Sequence, residues 1–244
     1  MAQLLPYADG ERVEIAGSPV RFRTSSRARR VSLRIDAIKR EVIATAPNLR
    51  RLADAAAFAK ERGPWMAREL ARLPKAQDVS PLTQLNVFDL PLVVERAGLH
   101  AAIIPASDDA AGRLILPADA ARAPAALTRL LRRHALVTLT ARTEIYSARV
   151  GRPAPKVVIT DARTRWGSCK GATATTPAVI RYSWRLALAP FIVADYVVAH
   201  ECAHLIEANH GPRFWTLVKT LCGDPAPHRA WLRAHGNTLH AFGR

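Results

Sequence analysis

The sequence predicts an α+β fold with a β-rich N-terminal part, and three observations carry the prediction. Apolar residues alternate with polar ones early in the chain: Val13 and Ile15 with Arg12 and Glu14, then Val31, Leu33 and Ile35 with Ser32, Arg34 and Asp36. A two-residue period is that of a half-buried strand. From Asp119 to Val150 the pattern turns helical, with Leu127, Leu130, Leu131, His134, Val137, Leu139, Ile145 and Tyr146 as apolar-face or core positions. Last, a strand-like stretch over 175–184 precedes Pro190 and a helix on which Val193, Val197, His200 and His204 share one face. We therefore expect a β-rich region with one helix over 1–117 and a more helical region over 118–244, or one continuous domain.

The elements follow in order. Gly17-Ser18-Pro19 is a turn signal, and Glu41 to Ala46 is the hairpin partner of the strand through Leu33, stopping at Pro47. Asn48 caps a helix through Leu52, Ala56 and Phe58 to about Leu73, with Gly63-Pro64 as its break. A polar linker covers 75–82. Strands are expected over 85–95, 100–104 and 113–116, and another at Val157 to Ile159. Pro190 stands at the first position of the histidine helix, where its missing N–H costs nothing. That helix should end near Ala208, with Asn209 or Gly211 in a left-handed cap that returns His210. Pro212 begins a helix with Phe214, Trp215, Val218 and Leu221, and a last short helix carries Trp231 and Leu232.

Composition narrows the class. The 244 residues are 49% hydrophobic and 23% charged, as in a globular protein with a sizeable core. Charged residues interrupt every apolar stretch, so no membrane span is expected, and the first ten residues lack a basic segment followed by a hydrophobic one. The expected compartment is the cytoplasm. Three cysteines without a CxxC pair argue against a disulfide framework and against a cysteine-held structural zinc. A net charge of +16 favours anionic partners, and Arg21, Arg23, Arg27, Arg29, Arg30 and Arg34 cluster. Arginine also recurs over 122–152, and aromatics that would stack on bases are sparse at 6%. A diffusely basic surface is the plainer reading, with non-specific nucleic acid as a candidate partner.

The chemistry concentrates in His200-Glu201-Cys202-Ala203-His204-Leu205-Ile206-Glu207-Ala208-Asn209-His210. Histidines four apart on a helix face the same way and can share one Zn²⁺, and His210 beyond the helix end supplies a third nitrogen. Three protein ligands leave a position for water, and Glu201 beside the first ligand can take its proton. Cys202, roughly 200° around the helix from His200, faces away from the ligands. A structural zinc would have no use for that carboxylate and would need a fourth ligand, for which Glu207 is the one candidate.

Further strings extend the pattern. Arg165-Trp166-Gly167-Ser168-Cys169, then Asp195 through His204, then Asn209-His210-Gly211 with Phe214-Trp215, resemble the YgjP-like metallopeptidase family, which is related to the SprT-like, Spartan-type proteases. The resemblance implies a zincin-like α+β fold, one zinc held by His200, His204 and His210, and Glu201 as general base. Metzincins share the histidine spacing but carry glycine where this chain has Glu207, and no Met-turn is recognisable. Arg165 and Trp166 either border the substrate groove or belong to a tight turn with Trp166 in the core. Arg165, Tyr182 and Arg213 are candidates for a second oxyanion donor. His228, His235 and His240 lack ligand spacing and are expected at the surface or partly packed. The expected activity is that of a zinc metallopeptidase acting on protein or peptide. Rival readings are a zinc hydrolase of another amide or a nucleic-acid-linked substrate, and a basic nucleic-acid-binding zinc module.

Overall fold

Arg12–Ile15 (β1) and Ser18–Thr24 (β2) form a hairpin whose turn is Ala16-Gly17, at φ 49° and 70°. Two successive positive φ values match the right-handed strand twist, which is why a glycine stands there. The turn lies one residue earlier than Gly17-Ser18-Pro19, because Ser18 and Pro19 already pair with Ile15 and Glu14. Ser32–Asp36 (β3) and Glu41–Ala46 (β4) pair as the alternation predicted, and β4 also runs parallel to β2, in the order β1-β2-β4-β3. Asn48 caps a 3₁₀ turn by accepting from the Arg51 N–H, and Leu52–Glu61 (α1) and Gly63–Ala71 (α2) follow, separated at Gly63-Pro64. Phe22, Val42, Ala44, Leu52, Ala55 and Met66 close one core between sheet and helices.

This computed structural model describes residues 6–37, 39–73, 83–162 and 164–242. The chain divides into two units, 1–75 and 76–244. The expected linker over 75–82 lies outside the described residues, as do the first five residues of the N-terminal stretch.

In the second unit, Gln84–Val87 (β5) and Leu90–Gly98 (β6) replace the single strand expected over 85–95. Phe88 and Asp89, at φ 48° and 64°, make the two-residue turn without the glycine that would have announced it. Ala102–Ile104 (β7) and Arg113–Pro117 (β8) complete a sheet ordered β5-β6-β8-β7. The boundary expected at 117/118 falls inside this unit, since Leu92, Leu114 and Leu116 share a core with Leu127, Leu131 and Val198.

Ala123–Arg149 (α3) buries Leu127, Leu131, Ala135, Leu139 and Tyr146. Val137 and Ile145, expected on that face, are 65% and 46% exposed because they lie off this seam. Lys156–Thr160 (β9), Gly167–Lys170 (β10) and Val179–Ser183 (β11) form a sheet ordered β10-β11-β9, with β10 at its edge. Phe191–Ala203 (α4) is buried nearly all round, as a helix apolar on every side must be, so its histidines do not extend a one-sided stripe. Pro190 takes the N-cap in extended conformation rather than the first helical position, and the Asp89 carboxylate accepts from the Phe191 N–H at 2.8 Å. α4 ends at Ala203, short of Ala208, with His204 at the C-cap. Pro212–Cys222 (α5) and Ala226–Ala241 (α6) follow, and α6 is a 16-residue helix rather than a short one. No helix among the described residues is long and apolar enough to cross a membrane.

Candidate metal centre

The centre is assembled on α4 and on the return to α5. One link holds α4 in register against α3. Arg142 grips Asp195 through two nitrogens at 2.6 and 3.1 Å, and the Tyr146 hydroxyl donates to the same carboxylate at 2.6 Å. Cys202 faces α3 as its helical position predicts, with its thiol 3.9 Å from the Thr143 carbonyl.

His200 and His204 project from one side of α4, and His210 comes back to meet them. Nε2 of His210 lies 3.1 Å from Nε2 of His200 and 3.2 Å from Nε2 of His204. The return needs no left-handed cap: neither Asn209 nor Gly211 has positive φ. Instead the chain tightens after Ala203, where Ile206 and Glu207 both donate to the Ala203 carbonyl, and turns again where Gly211 donates to Asn209. Phe214, fully buried at the start of α5, packs under all three imidazoles with centroid distances of 4.5–4.9 Å. Trp215 lies 5.9 and 5.8 Å from the His200 and His210 rings.

These nitrogens suit a metal ion. Around a tetrahedral zinc with Zn–N near 2.0–2.1 Å, ligand nitrogens stand about 3.3 Å apart. Burial, reinforced by His204, His210 and Arg229, pushes His200 down to about 3. Burial, with His210, also lowers His204, against the opposing pull of the Glu207 carbonyl. Both imidazoles are therefore neutral at neutral pH. His204 Nδ1 must be the protonated nitrogen, since it donates to the Glu207 carbonyl at 2.9 Å, leaving the Nε2 lone pair aimed into the cluster. His200 Nδ1 stands 3.4 Å from the Tyr196 hydroxyl. Among the described residues, the three histidines are the group of potential ligands that could hold a metal ion. Glu207 does not join them: its carboxylate pairs with Arg213 at 3.3 Å.

Glu201 is 6% exposed and wedged beneath β10. The Ser183 N–H donates to the Trp166 carbonyl, so the antiparallel alternation turns the backbone groups of Gly167 and Cys169 away from β11, toward the edge. There the Cys169 N–H donates to the Glu201 carboxylate. Gly167 is a glycine for a steric reason: a Cβ would stand 2.5 Å from Glu201 Oε1 and 2.6 Å from Cγ. Burial pushes Glu201 up to about 7 against the opposing influence of Arg165 and the Cys169 N–H.

The remaining candidates separate. Arg165 is exposed and close enough to act on Glu201. Trp166 stacks on His240 at 4.6 Å, and Gly236 leaves room for its ring, so its large surface is committed to α6. Tyr182 is fully buried with its hydroxyl 2.9 Å from Thr143 Oγ1, beneath the sheet, which removes it as an oxyanion donor. Arg213 is spent on Glu207. His228 stacks on Tyr196 at 5.6 Å, and His235 packs tilted against Trp231 at 4.6 Å. Sequence reasoning missed Tyr196, although it precedes His200 by four residues, and Arg229, for which no local signal exists. The Arg229 guanidinium lies 4.7 Å over Trp215 and helps keep His200 neutral.

An α+β domain with three converging histidines beside a buried carboxylate has the features of a metal-dependent hydrolase. The YgjP-like metallopeptidase domain matches residues 29–235, and the chain belongs to that family. Neither the search of curated proteins nor that of solved structures returned a match.

Proposed function

We propose that the protein is a zinc metallopeptidase in which His200, His204 and His210 hold one Zn²⁺ and Glu201 is the general base. The observation that carries this reading is the convergence of three Nε2 atoms, two of the contacts at 3.1 and 3.2 Å, next to a carboxylate buried under an edge strand. An all-imidazole donor set suits zinc better than a hard, oxygen-seeking cation. Zinc bound there supplies a Lewis acid that acidifies water and polarises the carbonyl under attack.

The chain's own residues supply the rest. Glu201, raised to about 7, accepts a proton at its carboxylate and returns it to the departing amine, the two transfers that amide hydrolysis requires. The Cys169 N–H fixes that carboxylate. The edge of β10 offers backbone groups at Gly167 to a substrate in extended conformation, so a peptide is the substrate it fits. Arg165, beside Glu201, adds positive charge at the mouth of this edge.

Metal analysis and digestion test the proposal together. We expect one zinc per chain in the wild type and loss of most of it in His204→Ala. Glu201→Gln should retain zinc and fold yet lose hydrolysis of an unfolded protein substrate by about a thousandfold or more. Full zinc retention in His204→Ala, or near-normal turnover in Glu201→Gln, would overturn the assignment.

A second partner rests on a separate observation in the N-terminal unit. Arg12 and Arg21 share Glu41, at 2.8 and 2.7 Å, and Arg21 also lies 3.9 Å from Asp36, whereas Arg23, Arg27, Arg29, Arg30 and Arg34 have no ion pair among the described residues. These five, on β2, β3 and the loop joining β2 to β3, favour non-specific contact with nucleic-acid phosphates.

A further inference from the structure

Beside the metal centre the second unit holds a cavity of about 660 Å³ that neither the histidines nor Glu201 use. Its walls include Pro153, Gly171, Ala172, Ala178 and Leu205, with Arg152 as the charged member. Its position follows from the strand alternation and from the turn that ends α4. Gly167 and Cys169 face α4 and meet Glu201, and Gly171, two residues further along the same strand direction, falls on that face as well. Ala178 lies on it too, since it shares the parity of the buried Ile180 and Tyr182. Leu205 stands just past the end of α4, in the turn where its N–H donates to the Cys202 carbonyl, and lines the cavity. The cavity therefore lies between the end of the edge strand that covers Glu201 and the residue after His204.

The space is open, and its lining is more apolar than polar, with Pro153, Pro177, Ala178 and Leu205 beside Arg152 and three threonines. A Cβ built on Gly171 meets nothing within 4 Å. Hydroxyls on the hairpin do not ask for a polar ligand: Thr173 and Thr176 share a hydrogen bond of 2.7 Å, and Thr173 Oγ1 also accepts from the Thr176 N–H. Strand residues rise about 3.3 Å each, so Gly171 lies roughly 7 Å along the edge from Cys169. A peptide laid along β10 would turn a side chain into this space one or two residues from the bond facing Glu201.

We propose that this cavity is the specificity pocket of the enzyme, and that it takes a large apolar side chain, leucine, methionine or phenylalanine, next to the scissile bond. The inference rests on the peptidase reading above. Leu205 and the hairpin over 171–178 become the residues that set the preference. Burying such a side chain should favour it over glycine or aspartate by about 10- to 100-fold.

The test uses the zinc-loaded full chain and a positional-scanning library of octapeptides, with cleavage sites read by mass spectrometry. Binding of the same library to the Glu201→Gln protein is measured in parallel. The expected result is enrichment of leucine, methionine and phenylalanine at one position beside the cleaved bond. Leu205→Trp and Ala172→Phe fill the cavity from opposite walls, and each should shift the preference toward small residues while the protein still binds one zinc. Zinc content identifies a variant that has failed to fold, and the other then carries the test. A wild type with no side-chain preference, or a preference unmoved in a folded variant, overturns the proposal. Selective binding to Glu201→Gln that Leu205→Trp abolishes, without cleavage by the wild type, would uphold the pocket and remove the peptidase reading. Absence of both cleavage and selective binding overturns both.

Discussion

Gly167→Ala adds one methyl group and touches no histidine, yet it should disable the site. The new Cβ would stand 2.5 Å from Glu201 Oε1, 2.6 Å from Cγ and 2.8 Å from Cδ, all well inside van der Waals contact. Either the carboxylate swings away from the Cys169 N–H, or β10 lifts from α4, and each requires a movement of about 1 Å. Misplacing a reacting group by that distance costs about a hundredfold in rate, and overpacking a buried contact costs about 1–3 kcal/mol of stability. His200, His204 and His210 lie outside the clash, so zinc content should stay at one per chain. Gly171→Ala, on the same strand direction, meets nothing within 4 Å and should leave stability within about half a kcal/mol of wild type. The assay is turnover of an unfolded protein substrate, with zinc stoichiometry and urea unfolding measured on the same preparations. Wild-type turnover and stability in Gly167→Ala would refute the close approach of β10 to Glu201, and with it the assignment of that strand to the active cleft.

Two other outcomes are expected. Asp195→Ala leaves Arg142 half-buried without its carboxylate and removes the acceptor of the Tyr146 hydroxyl, so unfolding stability should fall by about 2–3 kcal/mol. Differential scanning calorimetry should read this as a drop of about 4–12 °C in Tm, and an unchanged Tm would show that the link does not hold α4. Replacing Arg27, Arg29 and Arg30 together by glutamate should weaken binding of short DNA duplexes uniformly across sequences and flatten the dependence on salt between about 50 and 200 mM, with zinc content unchanged. Wild-type protein that fails to bind DNA or RNA at low salt would remove the nucleic-acid partner without touching the metal centre.

The pairing of His200 with His204 was legible in the sequence because a helix is a local object. Four residues separate His200 from His204, and that spacing alone puts two imidazoles on one side whatever surrounds them. Strand alternation through Val13 and Leu33 and the Asn48 cap were legible for the same reason, since each depends on a few neighbouring residues. Elements whose endpoints depend on distant partners were placed less well. The β5–β6 turn carries Phe88-Asp89 where glycine or asparagine would signal it, and its conformation is held by what surrounds it, including the Asp89 contact to the start of α4. The return of His210 was anticipated, but not its route, because a chain tightened by bonds to the Ala203 carbonyl leaves no glycine signature.

Sequence by itself determined which groups could come together: three imidazoles that could hold a metal and a carboxylate beside the first of them, specified by local spacing. Tertiary structure decided what those atoms are like. Burial beneath β10 raises Glu201, and burial with neighbouring positive and imidazole groups keeps His200 neutral. It also stacked Trp166 on His240, seventy-four residues away in the chain, and brought Arg229 of α6 toward the centre. Desolvation and long-range charge depend on everything within several ångströms in space, and no window along the chain contains that information.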